Sequence, residues 1–141
     1  MTAATQPTTD LVRWFDQIGM QDIGSVGGKN ASLGEMYRQL TPQGVRIPNG
    51  FATTASAYRT FLSKTGLDQK IALILSSMNV SQVESLQHCG LQIRHMILET
   101  PLPALLTGAI VEAYHHLCKQ RGGVADVAVR SSATAEDLPD A

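Results

Sequence analysis

The sequence predicts an α/β fold, with α+β as the alternative, rich in helix and with a small mixed sheet. Two observations predict this class. The order of expected elements is strand, helix, strand, several helices and a final strand. The chain has 141 residues, of which 43% are hydrophobic and 16% charged. This length suits one domain with a buried core, and the composition is too apolar for a disordered chain.

Strand and helix signals alternate in the first half of the chain. Residues 11–15 are β-branched and aromatic, which predicts a short strand. Glycines predict a loop over residues 24–28. From residue 29 to 40 the apolar residues fall at 33, 36, 37 and 40, which is one face of a helix. Thr41-Pro42-Gln43-Gly44 ends that helix, and a turn at 48–50 leads into a strand over 51–54.

The second half is mostly helical. We expect helices at 55–63, stopped by Gly66, at 67–77, from about 82 to 97, and at 104–120. Ser81 and Glu84 predict a capping box for the third of these helices. Prolines at 101 and 103 separate the last two, and Gly122-Gly123 ends the last. The valines at 124, 127 and 129 then predict a strand over 124–129.

Charge and composition exclude several classes of partner. The net charge is -1, without the basic surplus that a nucleic-acid binder needs. No apolar run approaches the ~18 residues that cross a bilayer. Residues 1–9 are expected to be a flexible polar lead-in without the features of a signal peptide. With two cysteines far apart in sequence, a reduced, cytoplasmic protein is expected. The sequence does not specify the oligomeric state.

Glycines and a lysine precede the helix predicted at 29–40. Gly27 and Gly28 let the backbone approach a ligand closely, and the N–H groups and dipole of a helix start favour an anion. Lys29 adds a positive charge, which fits phosphate binding. The segment is not a Walker A loop, because Ile23 and Asn30 stand where that motif has glycine and Ser or Thr. The alternative is an ordinary helix start with an exposed lysine.

An arginine and several hydroxyls follow the last predicted strand. Arg130 precedes Ser131, Ser132 and Thr134. A guanidinium binds phosphate oxygens through paired N–H groups, and hydroxyls add further donors. The alternative is a solvated loop in which Arg130 pairs with a neighbouring acidic residue, Glu136 or Asp137.

Together these segments resemble the pyruvate phosphate dikinase superfamily. Residues 27–36, Gly-Gly-Lys-Asn-Ala-Ser-Leu-Gly-Glu-Met, are similar to the opening motif of its ATP-binding domain. Residues 47–54 resemble its next segment, and residues 128–141 its strand and phosphate loop. The double serine followed by Ala-Thr-Ala-Glu-Asp resembles the branch that uses water rather than the one that uses phosphate.

The resemblance implies part of an ATP-grasp nucleotide-binding domain. It implies that Lys29 and Arg130 contact the phosphates of ATP, with the hydroxyls of Ser131, Ser132 and Thr134 as secondary contacts. In the family, ATP phosphorylates a histidine on a mobile central domain, which carries the group to pyruvate on a C-terminal barrel. ATP, pyruvate and water thereby give AMP, phosphoenolpyruvate and phosphate, with Mg²⁺. The family's metal carboxylates lie beyond Glu136 and Asp137, so no metal ligand is expected here.

The chain stops where the family continues its phosphate loop. We therefore expect residues 10–141 to be the ATP-binding part of a larger enzyme, without catalytic residues of its own and inactive alone. Two alternatives remain: a non-catalytic nucleotide-binding or interaction module, and the ATP-binding part of a related dikinase with another acceptor, such as an antibiotic or a glucan.

The histidines fall on predicted helices, and none lies in a phosphohistidine motif, so we expect structural or surface roles. They are His88, His95, His115 and His116. If the helices on either side of residue 102 form a hairpin, four side chains would lie at similar levels along the two helix axes: His88, Cys89, His115 and Cys118. This arrangement is compatible with a zinc site. However, Cys89 falls on the apolar stripe of its helix, where cysteine packs as a small hydrophobe. We therefore expect no zinc site.

Overall fold

The computed structural model describes residues 10–135. The predicted lead-in at residues 1–9 lies outside the described residues, as do Glu136 and Asp137. Backbone contacts divide the chain into two compact units. The described part of the first unit comprises residues 10–58 and 108–135, and the second unit is Arg59–Thr107.

The first unit contains a two-stranded antiparallel sheet. Strand β1 (Val12–Trp14) pairs with β2 (Phe51–Thr53), with Val12 opposite Thr53 and Trp14 opposite Phe51. The Trp14 and Phe51 rings also pack together, with centroids 5.5 Å apart. These two strands confirm the strands predicted at residues 11–15 and 51–54. Within residues 10–135 the sheet is antiparallel rather than mixed, because the expected strand at 124–129 does not join it.

Two helices follow β1. Helix α1 (Ile23–Val26) is a single turn and α2 (Gly28–Leu40) follows it directly, which confirms the helix predicted at 29–40. The predicted loop over 24–28 was wrong. Residues 23–26 close a helical turn, in which the Gly27 N–H donates to the Ile23 carbonyl (2.8 Å), so the break is confined to Gly27.

The core of the first unit lies under these two helices. It is built from Ile18, Val26, Ala31 and Ala52, against which Phe15 and Ile23 pack. Ile18 and Ala31 are fully buried. This arrangement fixes the start of α2 to the rest of the unit.

The second unit is helical. It contains most of α3 (Ala55–Thr65), all of α4 (Leu67–Ser76) and α5 (Val83–Glu99), and the first turn of α6 (Ala104–Arg121). These bounds confirm the predicted helices within a few residues. No single helix in residues 10–135 is long and apolar enough to cross a membrane; only α5 and α6, taken together across their bend, reach the required length and composition.

The predicted cap of α5 was wrong. Gln82, not Ser81, is the N-cap residue, and no side chain caps the helix. The Ser81 N–H instead donates to Asn79 Oδ1 (3.1 Å), and the Gln82 N–H donates to the Asn79 carbonyl (3.1 Å). Asn79 therefore forms the turn, which places Ser81 one residue before the N-cap of the helix.

Glycines end α6 as predicted. Gly122 has φ 77°, and the Gly123 N–H donates to the Cys118 carbonyl (3.1 Å), which closes the helix. The strand predicted at 124–129 was wrong, since this segment pairs with no strand of the described residues. Val124 and Val129 are 90% and 93% exposed. Alternating valines fit an extended chain, but a strand also needs a partner edge.

Candidate functional site

Gly27 separates α1 from α2 and shapes the start of α2. It has φ 81° and ψ 161°, a conformation that is almost confined to glycine. A Cβ atom at this position would lie 2.8 Å from the carbonyl oxygen of Ala133 and would also overlap Ser132 Oγ. Gly27 is therefore required both for its backbone conformation and for the close approach of residues 132–133.

Residues 132–133 dock onto the start of α2. The Ser132 hydroxyl donates to the Val26 carbonyl (3.0 Å) and accepts from the Asn30 N–H (3.4 Å). The Gly28 N–H donates to the Ala133 carbonyl (3.4 Å). Two of the helix-start N–H groups that the sequence suggested for an anion are thus used by the chain's own loop. Two motifs about 100 residues apart in sequence form one structure.

Docking brings Lys29 and Arg130 near each other. Lys29 lies in the first turn of α2, next to Asn30, and Arg130 lies two residues before Ser132; both are exposed. From the hydrogen bond between Asn30 and Ser132, their Cα atoms are at most about 15 Å apart, since two extended residues span ~7 Å. Each side chain reaches several ångströms further, so both can contact one polyphosphate.

The run that carries Arg130 is anchored at its base. The Tyr114 hydroxyl, on α6, donates to the Ala125 carbonyl (3.0 Å), and Ala125 is buried. The Cys118 thiol beside this phenol raises the pKa of Tyr114, so the phenol keeps its proton at neutral pH. Tyr114 thus holds one end of the run, and the docked loop holds the other.

The hydroxyls predicted as secondary contacts differ in their surroundings. Ser132 is half-buried, and its hydroxyl is already hydrogen-bonded. Ser131 and Thr134 are exposed, and neither side chain makes a hydrogen bond within residues 10–135. That these residues contact a ligand stays a prediction.

Sequence reasoning missed the role of Asn30. Its side-chain Nδ2 donates to the Val26 carbonyl (2.8 Å), the same oxygen that receives the Ser132 hydroxyl. Its backbone N–H donates to Ser132. A polar residue in the first turn of a helix is a familiar capping signal, but its partner 102 residues away is not visible in the sequence.

An ion pair holds the segment that leads into α1. Asp22 Oδ1 lies 2.7 Å from Arg13 Nη1, and Asp22 Oδ2 accepts from the Gly19 N–H (2.9 Å). The Arg13 hydrogen bond and, after it, the Gly19 N–H hold the pKa of Asp22 below its usual 3.8. Arg13 also donates to the Gln17 carbonyl (2.9 Å). Asp22 therefore remains ionised near neutral pH.

A groove among the described residues of the first unit lies elsewhere. It encloses about 970 Å³ between β1 and α6, and Trp14, Glu112, His115 and His116 are among its lining residues. Neither Lys29 nor Arg130 lines it. We place the candidate site at the docked loop, because that is where two exposed cations meet a close backbone junction.

The histidines lie on helices, as predicted. His116 packs edge-on against Trp14, with ring centroids 5.0 Å apart. On the surface of α5, His95 Nε2 lies 3.2 Å from Glu99 Oε1. Cys89 is buried and Cys118 is half-buried, and neither forms a disulfide. Within residues 10–135 no three His, Cys, Asp or Glu side chains cluster in a way that could hold a metal ion.

Comparison with known proteins finds similar sequences over almost the whole chain. Residues 23–141 match the family described as pyruvate phosphate dikinase, AMP/ATP-binding domain. Relatives named phosphoenolpyruvate synthase include those of Synechocystis sp. (50% identical over 99% of this chain and 18% of the relative), Neisseria meningitidis serogroup B (53% over 94% and 17%) and Escherichia coli (49% over 95% and 17%). The chain thus spans less than a fifth of the length of these relatives.

Proposed function

Because the chain belongs to the pyruvate phosphate dikinase AMP/ATP-binding domain family, we propose that it supplies ATP-phosphate contacts to a phosphoenolpyruvate synthase. The observation that supports this proposal is the docking of residues 132–133 on the start of α2, which limits the distance between the Cα atoms of Lys29 and Arg130 to about 15 Å. We also propose that the chain forms part of an ATP-grasp domain. The two unpaired cysteines support a reducing, cytoplasmic setting.

The two cations have distinct tasks in this proposal. Lys29 provides a point charge, and one such charge about 4 Å from a phosphate oxygen contributes roughly 4 kcal/mol at an effective dielectric of ~20, before desolvation. Arg130 provides a planar fork that can bind two phosphate oxygens at once. Together they offset the charge of the triphosphate and hold the transferring group in line.

The overall reaction belongs to the proposal as well. The name of the relatives, phosphoenolpyruvate synthase, supports phosphoenolpyruvate as the product. The family resemblance implies the rest of the reaction, in which ATP, pyruvate and water also give AMP and phosphate. Pyruvate and the phosphoryl-carrying histidine would be held by residues outside this chain. Among residues 10–135 no group of three His, Cys, Asp or Glu side chains could hold a metal ion, and we propose that the Mg²⁺ carboxylates lie outside these residues. The proposed contacts with ATP are therefore derived from the charges of Lys29 and Arg130 alone.

The first experiment measures ATP binding. The chain is titrated with ATP and Mg²⁺ by calorimetry, and saturable binding is expected. Lys29→Ala and Arg130→Ala should each weaken binding about 100-fold, the scale of losing one preorganised charged contact. Lys70→Ala and Arg59→Ala remove exposed charges from the second unit and serve as matched controls. Equal affinity of the site variants and the controls would reject the assigned site.

The second experiment measures turnover. The 133-residue segment of the Neisseria meningitidis relative that aligns with this chain is replaced by this sequence. The chimera should form phosphoenolpyruvate from ATP and pyruvate, whereas the 141-residue chain alone should form none. Product formation by the chain alone would contradict the proposal that further domains are required. A folded chimera that binds ATP but makes no product would favour the non-catalytic alternative.

A further inference from the structure

We propose that Ser132 is a positioning residue, which acts on ATP through Arg130 and does not itself donate to a phosphate. This inference rests on the proposed function, because it assigns Ser132 a role in the same ATP site. It differs from the expectation that all the loop hydroxyls contact phosphate oxygens.

The hydrogen bonds of Ser132 leave its hydroxyl without a free donor. A serine hydroxyl has one hydrogen to donate and two lone pairs to accept. In Ser132 the hydrogen goes to the Val26 carbonyl (3.0 Å), and one lone pair receives the Asn30 N–H (3.4 Å). Phosphate oxygens only accept hydrogen bonds, so Ser132 has no donor left for them while the loop is docked. Ser131 and Thr134, by contrast, have exposed side chains.

The position of Val26 explains why this hydrogen bond matters. Val26 is the last residue of α1, where a helix leaves carbonyl groups without a helical partner. Its carbonyl accepts from Ser132 Oγ and from Asn30 Nδ2 (2.8 Å). Ser132 therefore links three pieces of backbone: the end of α1, the start of α2 and the loop that follows Arg130.

Loss of the Ser132 hydroxyl would loosen Arg130. The hydrogen bond from the Gly28 N–H to the Ala133 carbonyl would remain, but it is long at 3.4 Å and holds the docked loop weakly. ATP would have to order the Arg130 run on binding. Immobilising one long side chain and its backbone at the moment of binding corresponds to roughly a tenfold loss of affinity.

A double-mutant cycle tests this role. ATP with Mg²⁺ is titrated into the unsubstituted 141-residue chain, Ser132→Ala, Arg130→Ala and the double variant. Ser132→Ala should weaken binding about tenfold in the unsubstituted chain and have no further effect once Arg130 is alanine, since contacting residues couple and independent ones add. Amide exchange at Asn30 should accelerate in Ser132→Ala. Ser77→Ala is the matched control, because it also removes a serine-to-carbonyl hydrogen bond (2.9 Å) outside the site.

Each outcome decides between the two proposals. Unchanged ATP affinity in Ser132→Ala, with normal binding by the unsubstituted chain, would overturn this inference alone. Additive losses in the double variant would also overturn it, because they would show that Ser132 acts independently of Arg130. Absence of ATP binding by the unsubstituted chain would overturn the proposed function together with this inference.

Discussion

Replacing Gly27 by alanine should undock the loop that carries the candidate site. Gly27 has φ 81° and ψ 161°, which an L residue with a side chain rarely adopts. The new Cβ would also lie 2.8 Å from the Ala133 oxygen and 3.0 Å from its carbonyl carbon. These two Ala133 atoms are backbone and cannot rotate away as a flexible side chain would, and the Cβ would also overlap Ser132 Oγ. Either the backbone at Gly27 changes or residues 132–133 leave the start of α2.

The cost follows from two contributions. A backbone forced into this region costs about 1–3 kcal/mol. Undocking also removes the hydrogen bonds that link Ser132 and Ala133 to the start of α2, each worth about 0.5–1.5 kcal/mol. We therefore expect a loss of about 3–5 kcal/mol in the free energy of unfolding. At roughly 3 °C per kcal/mol for a chain of this size, Tm falls by about 9–15 °C.

Gly44→Ala provides the matched control. Gly44 also has a positive φ, of 87°, but a Cβ atom added there would have no neighbouring atom within 4 Å. It therefore reports the backbone penalty of a positive φ, about 1 kcal/mol or 3 °C, without a steric conflict. Circular dichroism gives Tm, and hydrogen exchange reports protection of the Asn30 amide. Equal Tm losses in the two variants, with unchanged protection in Gly27→Ala, would refute the steric reasoning.

Two further predictions concern the packing of α2 and the ion pair that precedes α1. Gly34→Ala should destabilise the chain by about 1–3 kcal/mol, because its Cβ would lie 2.6 Å from the Ile18 carbonyl oxygen, whereas Gly24→Ala meets nothing within 4 Å and should be neutral or stabilising in the same urea titration. Asp22→Asn should cost about 1.5–3 kcal/mol at pH 7, measured by urea unfolding. Since the folded pKa of Asp22 is lowered by Arg13, this contribution is complete above about pH 4 and is lost as pH falls through the lower folded value. The Asn variant should therefore lose less stability than the unsubstituted chain below pH 4, and parallel pH profiles would contradict the ion pair.

Local sequence patterns predicted most of the elements because local interactions determine them. The apolar spacing predicted α2 and α6, and Leu106, Ala113 and Leu117, which are spaced for one face of α6, are buried. The glycines after α6 end it as predicted, because an αL residue closes the last turn. The failures have local causes too. Asn79 displaced the expected cap at Ser81, and a glycine-rich segment still formed the turn of α1.

The valine-rich segment shows the limit of such patterns. Alternation of valines predicts an extended backbone, and residues 124–130 contain no helix. Whether an extended run becomes a strand depends on a neighbouring edge that supplies hydrogen bonds, which is a property of the whole fold. The valine-rich segment is instead anchored by the hydrogen bond from the Tyr114 hydroxyl to the Ala125 carbonyl. The periodicity of the sequence cannot predict this contact between a helix and an irregular segment.

The candidate site was predicted in its parts but not in its assembly. Sequence reasoning singled out Lys29 and Arg130 separately, each with an ordinary surface role as the alternative. What joins them is the contact of Ser132 with Val26 and Asn30, across 106 and 102 residues. This contact requires glycine at position 27 and uses the hydroxyl that sequence reasoning had offered to the ligand. In the proposed site a neutral serine holds the segments of the two cations together, so we expect binding of one phosphate chain to depend on a residue that carries no charge.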